Sequence, residues 1–100
     1  MATTTKTLAR TAAATSSTTL YTVPAGTTTV VTNIVVTNTT VSPQTFTLTM
    51  GGVTLADTVT VANNDSTVID LKQVLTATQT IAGLASSTSV NFHIAGVEIA

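Results

Sequence analysis

The sequence predicts an all-β fold, an antiparallel β-sandwich or jelly roll of about seven or eight short strands with an N-terminal arm. Three observations predict it. Twenty-seven of the 100 residues are threonine, a β-branched residue that packs well on a pleated surface and still offers water a hydroxyl. Apolar and polar residues alternate with period two, most strictly where Phe46, Leu48 and Met50 interleave with Thr45, Thr47 and Thr49. Turn residues recur every roughly 8–12 positions, and no stretch carries a convincing helical period.

One hundred residues make a single domain, large enough to bury roughly 60–68% of its unfolded surface. Residues 1–17 (MATTTKTLARTAAATSS) are small, polar and weakly periodic, and read as an arm or peripheral strand. Residues 18–100 read as one β-sandwich domain. Within the arm, Lys6, Leu8 and Arg10 are the candidate contact residues, with Leu8 as the anchor.

The stretch Leu20 to Val36 (LYTVPAGTTTVVTNIVV) reads as two extended runs joined by a turn. Pro24 ends the first run by removing a backbone donor, and Ala25 and Gly26 complete the turn. By strict period two, Val30, Ile34 and Val36 fall on one face of the second run, and Val31 and Val35 on the other. A strand apolar on both faces is covered on both sides. Val31 and Val35 are therefore the candidate intersubunit face, and the other strands are expected to pack around this pair.

Thr37 to Gln44 has turn chemistry, with Asn38, Ser42 and Pro43. Gly51-Gly52 then links the strand ending at Met50 to a strand with Val53, Leu55, Val59 and Val61, interrupted by Asp57. Paired glycines favour a tight hairpin. Asn63-Asn64 makes the next turn, because Asn tolerates positive φ. Ile69 and Leu71 share one face of the following strand, and Val68 and Asp70 the other. Lys72 to Gln79 reads as a connection that buries Val74 or Leu75. Thr80 to Leu84 is a further strand. In the last run, Val90, Phe92 and Ile94 have one parity and Val97 and Ile99 the other. A β-bulge or bend at Gly96 would return the last two to the core.

Several function classes are poorly served by this composition. Three basic and four acidic residues build no basic patch, so no nucleic-acid partner is expected. With only Tyr21, Phe46 and Phe92 as aromatics, stacking on bases or sugars is weakly provided for. No cysteine is present, which removes disulfides and thiolate chemistry. No apolar run approaches the roughly 18 residues of a membrane-spanning helix, and MATTTKTLAR lacks the apolar core of a secretory leader. No membrane partner is expected.

Reactive groups are sparse. His93 is the one histidine and should point outward, between Phe92 and Ile94. Asp57, Asp65, Asp70 and Glu98 have no calcium-loop spacing. No serine lies in a G-x-S-x-G context. Gly51-Gly52 precedes a strand and so cannot present a helix N-terminus to phosphate. Asn38-Thr39-Thr40 matches a glycosylation sequon, without consequence where no secretory leader is expected. No catalytic, cofactor-binding or metal-ligating residue is assigned, no cofactor is expected, and the chain is not expected to be an enzyme.

Two sets of residues carry a resemblance. The first is Leu20-Tyr21-Thr22-Val23-Pro24-Ala25-Gly26 with the Thr/Val-rich strand and Val35-Val36-Thr37-Asn38. The second is Asp70-Leu71, Val74-Leu75, Thr80-Ile81 and the ending Gly96-Val97-Glu98-Ile99. Together they cover most of residues 18–99 and resemble small tailed-bacteriophage virion structural proteins, of the capsid decoration (cement) type. The resemblance implies a non-enzymatic protein on the capsid surface of the virion. It would bind the major capsid protein, stabilise contacts between capsomers and form a homo-oligomer, a trimer being favoured. Lys6 and Arg10 would then meet an acidic capsid surface. The alternatives are a tail- or head-fibre-associated module and a receptor- or glycan-binding module. A charge-poor, threonine-rich surface suits a protein packed in an assembly, since a free monomer normally relies on charge for solubility.

Overall fold

The computed structural model describes residues 2–100. They form β1 (Thr3–Ala12), β2 (Thr18–Thr22), β3 (Thr28–Asn38), β4 (Gln44–Met50), β5 (Val53–Val61), β6 (Ser66–Leu75), β7 (Thr80–Ala85) and β8 (Val90–Ile99). These make two four-stranded sheets, ordered β1-β8-β3-β6 (sheet A) and β2-β7-β4-β5 (sheet B). Every pairing is antiparallel. Only β4 and β5 are both consecutive in the chain and paired; every other connection crosses between sheets. This interleaved order is a jelly roll built from two Greek keys.

Leu20 to Val36 is therefore not a hairpin. β2 belongs to sheet B and β3 to sheet A. The turn between them, closed by Thr27 N–H donating to the Pro24 carbonyl at 3.2 Å, carries the chain across the sandwich. The true hairpin is β4–β5, where Gly51 and Gly52 take φ of 60° and 82°. Positive φ at both central residues matches the right-handed twist of paired strands.

The core lies between the sheets. Sheet B supplies Phe46, Leu48, Met50, Val61, Ile81 and Ala85; sheet A supplies Val31, Ile34, Val36, Val90, Phe92 and Ile94. Phe46 and Phe92 meet edge to face across the sandwich, ring centres 6.2 Å apart at 74°. Such a pair adds about 0.5–1.5 kcal/mol beyond the area it buries.

β3 departs from strict period two. Its inward residues are Thr29 and Val31, then Ile34, Val36 and Asn38. The parity changes at Thr32, which is extra to the ladder: Val31 faces Gly96 of β8, and Asn33 already faces Ala95. A one-residue bulge moves every later side chain to the opposite face. Val31, expected on an intersubunit face, is 0% exposed and belongs to the monomer core. Val35 does lie on the outer face of sheet A, where its companion is Val30, not Val31.

A matching bulge sits in β1 at Leu8, between the pairs Thr7–Ala95 and Ala9–Ile94. β8, held between two bulged neighbours, keeps one alternation, with Val90, Phe92, Ile94 and Gly96 inward. The irregularity expected at Gly96 thus lies in the strands beside it, and Val97 and Ile99 stay half-buried on the outer face. The two bulges flank Ala95, and Gly96 is the next residue. A Cβ there would meet the Val30 carbonyl oxygen at 2.4 Å and Leu8 Cδ1 at 2.8 Å.

Of the two readings of the N-terminal segment, the peripheral strand holds and the arm does not. Residues 3–12 are a paired edge strand of sheet A, and Leu8, Ala9 and Ala13 are buried in the common core. Leu8, expected as the anchor of an arm, is buried in the chain's own core. Met1 of that segment lies outside the described residues. At the other edge, β6 runs on to Leu75, which is buried, while Val74 is exposed.

Candidate functional site

The polar side chains able to do chemistry are dispersed by the fold. His93 is exposed on the outer face of sheet A, in register with Arg10 of β1 and Val35 of β3. With Thr7 and Asn33 these residues line a shallow depression of about 180 Å³. Asp57 sits at a bulge in β5, its carboxylate accepting from the Thr58 hydroxyl at 3.1 Å. Asp65 accepts from the Ser66 N–H at 2.8 Å, a turn role. Asp70 is exposed on β6. Among the described residues, no three His, Cys, Asp or Glu side chains come close enough to hold a metal ion.

Glu98 is the carboxylate with the most partners. It lies near one end of the sandwich and accepts from the Tyr21 hydroxyl at 2.5 Å and from Lys6 Nζ at 3.3 Å. Tyr21 also shares a 2.8 Å hydrogen bond with Thr29, which is fully buried. The bond from Tyr21 holds the Glu98 carboxyl below the usual range, and Lys6 adds to the effect against a partial desolvation. Burial, then the bond to Glu98, raises the Tyr21 hydroxyl above its ordinary value. The cluster joins β1, β2, β3 and β8, and so ties sheet A to sheet B. Lys6 is thereby engaged within the fold, while Arg10 is the arm cation left on the outer face.

Asn38 does a similar job near the other end. Its side chain is fully buried and donates to the carbonyls of Ser42, Val61 and Ala62, while accepting from the Thr40 N–H and hydroxyl. The β3–β4 loop and the turn after β5 are pinned by this one amide. The sequon at Asn38 is thus closed by burial of the nitrogen that would carry a sugar.

Compared with protein-family models and with the curated proteins, the chain matches none.

What distinguishes one surface from another is composition. The outer face of sheet B is rich in threonine: Thr45, Thr47 and Thr49 of β4, with Thr60 and Thr54 of β5 opposite Thr45 and Thr49, and Leu84 and Ala82 of β7 opposite Thr47 and Thr49. The outer face of sheet A carries Val30, Val35, Val97 and Ile99, half-buried, and on β6 Val68 and Val74, 63% and 61% exposed. Of the two faces, this one offers β-branched apolar surface to a partner. Of the residues expected to form it, Val35 is present and Val31 is not. Val68 was legible from its alternation against Ile69 and Leu71, but its place on an open edge depends on strand pairing and left no local signal.

Proposed function

We propose that this chain is a non-enzymatic structural protein of a virion, decorating the outer capsid shell and stabilising contacts between capsomers. Its partners in this reading are the major capsid protein and further copies of itself. The observation that carries the proposal is the outer face of sheet A, which presents the β-branched apolar residues Val30, Val35, Val68, Val74, Val97 and Ile99 with few charges between them. Arg10 lies on edge strand β1, His93 on inner strand β8 beside Val35, and Asp70 and Lys72 on edge strand β6. A face of this kind attaches through buried area and shape. Many weak copies on one shell then act together. The resemblance of residues 18–99 to tailed-phage virion proteins supports the same reading, and the jelly roll is an architecture shared by viral capsid and lectin domains.

The test is reconstitution. Purified chain is mixed with capsids lacking it, sedimented, and imaged by cryo-electron microscopy. Density on the outer shell, lost when Val35→Asp and Val97→Asp are combined, is the expected result. Absence from the shell, with density on the tail or fibres, would overturn the decoration role in favour of the fibre-module reading.

A further inference from the structure

We infer that β6 is a self-pairing edge. Two copies of the chain join β6 to β6 antiparallel about a two-fold axis through Leu71, so that the two four-stranded A sheets become one continuous sheet. This contact is independent of what the chain decorates, and it takes the place of the three-fold arrangement implied by the resemblance.

β6 pairs with β3 on one side, and among the described residues no strand covers the other. The Asn38 N–H donates to the Asp65 carbonyl at 2.9 Å. In an antiparallel ladder the peptide groups turn alternately toward and away from the partner strand. Counting from Asp65, the odd-numbered residues of β6 bond to β3. The N–H and C=O groups of Ser66, Val68 and Asp70 face the open edge; beyond the register shift at which Leu71 and Lys72 together lie opposite Thr32, Leu75 is again buried and Val74 exposed, so the groups of Lys72 and Val74 keep the same side. Such a row of unpaired groups is a template for another strand.

The side chains select which strand. With Leu71 opposite its own copy, Val68 lies opposite Val74 of the second chain, and Asp70 opposite Lys72. The two-fold axis makes each of these pairs twice. The two exposed valines shelter each other, and opposite charges meet where like charges would repel. Each hydrogen-bonded pair of residues also exchanges two backbone bonds.

The other edges lack this match. In β1 a two-fold axis at Leu8 would set Lys6 against Arg10, and Leu8 itself is bulged. β5 is broken by two register shifts. β2 has five residues and one shift. β6 is ten residues long, has one register shift, between Asp70 and Gln73, and keeps Ser66, Val68, Asp70, Lys72 and Val74 exposed.

The experiment is size-exclusion chromatography with light scattering over a concentration series. The expected mass is twice the 10.1 kDa of one chain. Asp70→Lys and Lys72→Asp should each weaken the dimer about tenfold, by replacing two attractive pairs with two repulsive ones. The combined charge swap should restore it. Both side chains are exposed, and thermal unfolding of each variant checks that the monomer fold is kept. A mass of one chain at every concentration overturns the inference. So does a three-chain mass indifferent to either single variant, or a double variant no tighter than the singles.

Discussion

Replacing Gly96 with Ala should damage this fold more than the same replacement at Gly83, although both glycines are buried in mid-strand. At Gly83 the new methyl would meet Leu48 Cδ2 at 2.8 Å and Leu20 Cδ1 at 3.2 Å, the ends of side chains that can turn aside. At Gly96 it would meet the Val30 carbonyl oxygen at 2.4 Å, and that atom belongs to the backbone. Contacts between non-bonded heavy atoms settle near 3.5 Å or beyond, so about 1 Å of movement is required. β3 can move only by breaking its register with β8 or β6. Overpacking typically costs about 1–3 kcal/mol. The backbone clash puts Gly96→Ala at about 3 kcal/mol and the side-chain clash puts Gly83→Ala at about 1 kcal/mol. For a domain of this size each kcal/mol lowers Tm by roughly 4–8 °C, so Gly96→Ala should fall by more than about 12 °C. Urea unfolding followed by circular dichroism measures both variants. Equal costs, or a larger one at Gly83, would refute the argument that the bulges at Leu8 and Thr32, which flank Ala95, demand a glycine at the next residue.

Three other outcomes follow from the same geometry. Val31→Asp should unfold the monomer, because an unpaired charge in the core costs about 3–5 kcal/mol, whereas Val35→Asp should leave the melting curve within about 0.5 kcal/mol of the parent; the reverse order would place the bulge elsewhere. Thr78 holds φ at 71° in the turn between β6 and β7, a conformation costly for a β-branched residue, so Thr78→Gly should stabilise by about 1 kcal/mol, read as a higher urea midpoint. Glu98 titrates below its ordinary value when folded, chiefly through Tyr21. Its contribution is therefore present above the unfolded carboxyl pKa and lost as pH falls through the folded one. Tyr21 is shifted upward, so its contribution is present below the unfolded phenol pKa and lost as pH rises through the folded one. The parent should lose stability toward acid more steeply than Tyr21→Phe, and parallel curves in urea titrations from neutral pH downward would contradict this.

The fold class and most of its punctuation can be read from neighbouring residues alone. Threonine and valine prefer extended backbone, Gly51-Gly52 and Asn63-Asn64 accept positive φ, and the alternation in β4 sets Phe46, Leu48 and Met50 inward. These are local properties of a few neighbouring residues, and they hold in any β context. The exposed His93 was legible for the same reason, whereas the choice between Val74 and Leu75 as the buried residue was left open by the sequence and made by the extension of β6 to Leu75. Which strand lies beside which, and on which side of a bulge each residue falls, is set by long-range pairing. Thr32 becomes an extra residue only in relation to Ala95 and Gly96, more than sixty positions away in the chain. That one insertion sends Val31 into the core and leaves Val35 outside. In the same way β6 is an edge because β3 takes β8 on its other side. The candidate surface was thus half legible: the apolar residues were visible, but their sorting into core, outer face and open edge depends on register, which non-local pairing sets.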